Sequence, residues 1–149
     1  MEGLFLLISC CVVLGIGVVE VEGGQKECIW VRGRVKCPTD HLKQRYVKIE
    51  LVDHDRFGSD DILDVSYTSH NGYFSMYGCS SDLWGDIDPE IKIYHKCNVE
   101  EKKLIKHDIP QSYLGREYEA PVIDLSNPSA EGFSVHSTSA DIHPPCEQN

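Results

Sequence analysis

The sequence predicts an all-β protein, a sandwich of two sheets, and three observations carry that prediction. Val47, Ile49 and Leu51 alternate with Lys48 and Glu50, so one face of an extended segment is apolar and the other charged, the period of a half-buried strand. The same two-residue period recurs in about seven short segments separated by turn-forming residues, the spacing of a sandwich. No segment of useful length has a helical period, and one short turn within residues 108–114 is the single helical element expected.

The first strand is residues 28–36, with Ile29, Val31, Gly33 and Val35 on one face and Trp30, Arg32, Arg34 and Lys36 on the other. Cys37-Pro38 ends it, residues 39–44 form a polar connection, and residues 45–52 form the second strand. An acidic loop, 53–61, follows. Residues 63–68 carry Leu63, Val65 and Tyr67 at alternate positions and are expected to pair with 72–77 through Asn71-Gly72, the dipeptide that most easily reaches the positive φ of a tight hairpin. Residues 78–89 are rich in turn formers and hold Trp84. Strands at 90–95, with Ile91 and Ile93, and at 103–109, with Leu104 and Ile105, come next. Residues 118–125 read as a last strand interrupted by Pro121, which cannot donate to a ladder and so marks an edge or a break. From Ser126 onward the chain is rich in Pro, Ser and Gly and is expected to be an irregular tail, 126–149.

At 149 residues, 41% hydrophobic and 26% charged, the chain has room for one ordinary domain with extensions. Residues 4–19 are an uncharged apolar run, shorter than the roughly 20 residues that cross a bilayer as a helix. They read as the core of a secretory signal spanning 1–23, cut before Gly24, and the domain follows at 24–125. Met1-Glu2-Gly3 has no basic residue, so an uncleaved anchor is the alternative. No other apolar stretch is long enough to span a membrane. Removing 1–23 takes three glutamates and no Lys or Arg, so the net charge of −10 becomes −7. Nucleic acid is therefore excluded as a partner, since the densest basic run, Lys102, Lys103 and Lys106, stands beside Glu100 and Glu101.

Of seven cysteines, Cys10 and Cys11 leave with the signal, and Cys28, Cys37, Cys79, Cys97 and Cys146 remain. Wide spacing without a C-x-x-C pair, in a secreted domain, points to disulfides rather than metal. Two bridges and one leftover thiol, either free or joining two chains as a homodimer, is the simplest count.

Five motifs in order carry a family resemblance: V-x-G-x-x-x-C ending at Cys37, D-x-D followed by D-D-x-L through Leu63, N-G-x-F at Asn71, I-D-P-x-I-x-I-Y-H-x-C ending at Cys97, and I-P-x-x-Y ending at Tyr113. In these the chain resembles the transthyretin-like family of secreted nematode proteins over about residues 28–125. The resemblance implies a transthyretin-like two-sheet sandwich of seven or eight strands and assigns no ligand. Family members commonly carry a further cysteine just after the H-x-C strand, where this chain has none. Cys79 and Cys37 are then the candidate partners of Cys97, and a Cys28–Cys146 bridge would clamp the two ends of the domain.

Asp53, Asp55, Gly58, Asp61 and Asp64 occupy positions 1, 3, 6, 9 and 12 of a calcium-loop pattern. Phe57 stands at position 5, Asp64 replaces the longer bidentate Glu, and a strand rather than a helix enters the loop. The expectation is thus not an EF-hand but turn-capping aspartates, with a calcium site on Asp53, Asp55, Asp61 and Asp64 as the metal alternative. No G-x-S-x-G or H-E-x-x-H signature accompanies the seven histidines. His95 beside Cys97 suggests a base and thiol less than it suggests a disulfide. The transthyretin relatives that hydrolyse 5-hydroxyisourate end Tyr-Arg-Gly-Ser, whereas this chain ends HPPCEQN, so catalysis is not expected. No cofactor is expected either. Tyr77, Trp84 and Tyr113 are candidate contact residues for a ligand. The resulting expectation is a secreted extracellular binding module whose partner is a protein or cell-surface ligand. The alternatives are a carrier of a small apolar ligand, in a pocket or at a dimer interface, and a calcium-binding surface module.

Overall fold

The structure, a computed structural model, describes residues 26–55, 58–81, 87–128 and 133–140. The segment 1–23 expected to be a signal, Trp84 and Cys146 lie outside them. The described residues form nine strands and two single 3-10 turns. β1 (Glu27–Lys36) is the centre of one sheet, between β4 (Tyr73–Ser80) and β7 (Glu117–Glu119), and β8 (Ile123–Asp124) pairs farther along β1. The second sheet runs β3 (Asp61–Tyr67), β2 (Lys48–Asp53), β5 (Pro89–His95), β6 (Lys103–Asp108), β9 (Phe133–Ser137), antiparallel throughout.

Alternation places the core. Ile29, Val31 and Val35 of β1, with Phe74 and Met76 of β4, face Ile49 and Leu51 of β2, Ile91 and Ile93 of β5 and Ile105 of β6, all buried. Each such side chain taken from water contributes about 1.5–3 kcal/mol. Their polar neighbours at intervening positions point outward, and these outer faces carry the chemistry described below.

Four expectations change in the folded chain. The segments joined by Asn71-Gly72 do not form a hairpin: β3 pairs with β2, β4 pairs with β1, and the turn carries the chain from one sheet to the other. Gly72 keeps the expected positive φ and is needed for a close approach as well. Its φ is +80° and a Cβ there would lie 2.1 Å from the Val35 carbonyl oxygen, which is close because the Gly72 carbonyl accepts the Val35 N–H at 2.9 Å. The expected strand 118–125 divides at Pro121 into β7 and β8, both parallel to β1. The tail expected to be irregular contributes β9, which pairs with β6 through five residues; its exposed edge position gives it little apolar alternation to read. Finally, two helical turns form, at His41–Gln44 and Gln111–Tyr113. The first lies in the polar connection, where the Asp40 side chain accepts the Leu42 N–H and caps it.

Among the described residues, two disulfides form. Cys37–Cys97 is one of the two pairings open to Cys97. Cys28 bonds Cys79 rather than Cys146, because β1 and β4 bring Cys28 and Cys79 directly opposite each other in the ladder.

Candidate functional site

The outer face of the first sheet is built by register. Trp30, Arg32 and Arg34 of β1 stand opposite Tyr77, Ser75 and Tyr73 of β4. Trp30 is 47% exposed, Tyr77 46% and Tyr73 56%. The Trp30 and Tyr77 rings lie 4.4 Å apart, centre to centre, a cross-strand aromatic pair. The Arg34 guanidinium stands 5.0 Å from the centre of the Tyr73 ring, while its Nε donates to the Asn71 carbonyl at 3.0 Å. Arg32 is paired with Glu117 and, at 3.7 Å, with Glu119. Where Pro121 separates β7 from β8, Ala120 and Val122 flank a surface groove of about 740 Å³ reaching Arg32, Arg34 and Tyr73. At the other end, Trp30 and Tyr77 border a second groove of about 410 Å³ with Lys26 and Leu114.

The outer face of the second sheet holds a buried charged cluster. Glu50, Lys92 and Lys106 form one cross-strand row, and Glu90 faces Asp108 in the next. Glu50 and Glu90 are buried. Glu50 accepts from the Tyr94 hydroxyl at 2.6 Å and from Lys48 Nζ at 2.8 Å. Burial, then the Glu50 contact, raises the Tyr94 phenol far above its ordinary value. Lys92 pairs with Asp60, which also contacts His54 Nδ1 at 2.8 Å. Burial alone would raise the Asp60 carboxyl, but hydrogen bonds and charge from Lys92 and His54 outweigh it and hold the carboxyl low. Glu90 is shifted up, chiefly by burial, against the opposing charge of Lys106 at 3.5 Å and with the neighbouring Asp108 carboxyl adding to the rise.

The aspartates of the calcium pattern are not gathered. Asp53 accepts the Asp88 N–H at 2.8 Å, and Asp64 accepts the N–H groups of Val65 and Tyr77. Asp61 opens β3 opposite Asp53, and Asp55 sits in the loop after β2. Among the described residues, the side chains that bring three ligand atoms within 4.8 Å of one another are instead His54, Asp60 and Glu90. Nothing in the sequence marks Asp60 among its acidic neighbours, because Lys92 and Glu90 reach it only through strand pairing. Tyr113 does not belong to the Trp30–Tyr77 row: it packs edge-on against Tyr118 with ring centres 4.8 Å apart, on the 3-10 turn before β7. Trp30 and Tyr73 join Tyr77 where Tyr113 does not. Their sequence signal was available, since Trp30 alternates with the arginines of the outward face.

His95 and Cys97 form no base and thiol. Cys97 is in a disulfide, and His95 Nδ1 accepts the Cys97 N–H at 3.1 Å. Burial, with Lys103 nearby, lowers the His95 pKa to about 4.

The sequence model of the transthyretin-like family matches residues 32–110. Transthyretin-like protein 46 of Caenorhabditis elegans is 36% identical over 93 residues, 59% of this chain and 50% of its own. The chain therefore spans about half the length of that relative. Transthyretin-like protein 5 of the same organism is 29% identical over 133 residues, 81% of this chain and 89% of its own. Transthyretin-like protein 16 is 28% identical over 100 residues, 65% and 74% respectively. The family match runs from β1 through β6 across both sheets, on more than half of the sequence, and the chain belongs to the transthyretin-like family.

Proposed function

We propose that the protein is a secreted extracellular binding module that engages a protein or cell-surface ligand through the outer face of the β4-β1-β7 sheet, without turnover. The observation that carries this reading is the in-register row of exposed aromatics and arginines: Trp30 with Tyr77, and Arg34 with Tyr73. Trp, Tyr and Arg dominate the energetics of protein interfaces because each offers a large contact area together with a polar handle. Here they stand on paired strands, so little ordering entropy opposes binding. Two disulfides suit an oxidising compartment, as does the expected signal at 1–23. The 740 Å³ groove on this face combines charged Arg32, Arg34 and Glu119 with apolar Phe74, Ala120 and Val122, a mixed lining that suits a surface partner offering both polar and apolar contacts.

The test is an array of extracellular ectodomains and glycans from the source organism, probed with disulfide-intact protein. Trp30→Ala with Tyr77→Ala is expected to remove the wild-type hits while the unfolding midpoint moves only slightly. Hits that survive the double substitution, or a wild type without hits, would overturn the reading.

A further inference from the structure

The geometry points to a divalent transition-metal site, of the zinc type, formed by His54, Asp60 and Glu90 on the outer face of the second sheet. Their ligand atoms lie within 4.8 Å of one another. His54 Nδ1 and Asp60 Oδ1 are already 2.8 Å apart in a hydrogen bond, so a small opening of that pair reaches the roughly 3.3–3.6 Å between two donors on a tetrahedral ion at metal–ligand distances of about 2.0–2.2 Å. A second, independent observation is that Glu90 Oε1 is buried without a hydrogen-bond partner. A carboxylate oxygen in that position costs free energy unless a cation satisfies it, and Lys106 Nζ at 3.5 Å does so poorly. The third is access: His54 borders an open groove of about 300 Å³ together with Asp88 and Asp108. His54 itself is partly exposed, with 44% of its side chain open to water.

The donor set selects the ion. One imidazole nitrogen with two carboxylate oxygens suits zinc and its first-row neighbours and leaves a fourth position for water. Calcium, which takes six to eight oxygens, is served poorly by a set with a nitrogen. Glu90 is fixed on β5, while His54 and Asp60 flank it from just after β2 and just before β3, so drawing the three donors together falls to the His54 and Asp60 side chains. Lys92 is the competitor. Its ammonium pairs with Asp60, and a metal ion must share or displace it, which limits the affinity of the native chain. Removing that ammonium should therefore strengthen binding, an outcome that general acidity of the surface does not produce.

The experiment is calorimetric titration of the disulfide-intact protein with zinc chloride, alongside calcium chloride, for wild type and three variants. One zinc ion per chain is expected. His54→Ala, a partly exposed position that should not disturb folding, and Glu90→Gln should each weaken zinc binding at least 10-fold. Lys92→Gln should tighten it several-fold. Cobalt substituted for zinc should give visible absorption bands of a four-coordinate site in wild type and lose them in His54→Ala. The inference is overturned by the absence of saturable zinc uptake, by unchanged affinity in His54→Ala, by tighter binding of calcium than zinc, or by weaker binding in Lys92→Gln.

Discussion

Cys37 and Cys97 join the end of β1 to the turn after β5 across 60 residues, and because β1 and β5 lie in different sheets, their bond is a covalent tie through the core. Both cysteines are fully buried. Cys28–Cys79 instead links adjacent strands of a single sheet and is partly exposed. The two bonds close loops of similar length, so chain entropy alone ranks them together. Their difference lies in access and in what they hold.

Mild reduction followed by alkylation and mass spectrometry is therefore expected to label Cys28 and Cys79 before Cys37 and Cys97. Replacing Cys37 and Cys97 together with Ala should lower unfolding free energy by about 2–5 kcal/mol in urea titration. Simultaneous labelling of all four cysteines under native conditions would show that the buried bond has no protection from the fold.

Gly72→Ala should be among the most damaging single substitutions in the chain. Its added methyl group would meet the Val35 carbonyl oxygen at 2.1 Å, and its φ of +80° is unfavourable for any residue with a Cβ. Backbone strain alone costs about 1–2 kcal/mol, and the clash with main chain, which cannot rotate away, adds to it. Gly115→Ala isolates the first contribution, since its φ is +74° and a Cβ there meets nothing within 4 Å. Urea midpoints should fall further for Gly72→Ala than for Gly115→Ala; equal losses would remove the close approach to Val35 as the reason for the glycine.

The strands were legible wherever one face is buried, because burial forces the alternation seen at Ile29, Val31 and Val35 or at Ile91 and Ile93. Strand partners were not. Asn71-Gly72 has the chemistry of a hairpin turn, yet local turn preference does not decide whether the next strand stays in the same sheet; here β3 pairs with β2 while β4 pairs with β1. β9 was hidden for the opposite reason, as it is a mostly exposed edge strand of five residues in which Phe133 and Val135 supply a single apolar repeat. The outward aromatics were readable from the position of Trp30 among arginines, but their partners across the ladder depended on register. The His54, Asp60 and Glu90 cluster joins the β2–β3 connection to β5, which only the fold brings together, and the acidic pattern 53–64 spans His54 and Asp60 but selects other carboxylates.

His95 makes stability depend on pH in a direction that can be worked out from its surroundings. It is 3% exposed, and burial, with Lys103 beside it, depresses its pKa from 6.5 to about 4. Between those values the unfolded chain binds a proton that the folded chain does not, so this residue favours the folded state fully above about pH 6.5 and progressively less as pH falls toward 4. The full swing is roughly 3 kcal/mol, at about 1.4 kcal/mol per pKa unit. Unfolding free energies measured in urea from pH 7.5 to 4 should decline accordingly. In His95→Gln, which keeps a polar group able to accept the Cys97 N–H but does not titrate, the decline should shrink by that amount. Proton NMR of the wild type should find one imidazole still neutral at pH 5. If the pH slopes of wild type and His95→Gln coincide, protonation of this buried imidazole is not what weakens the fold in acid.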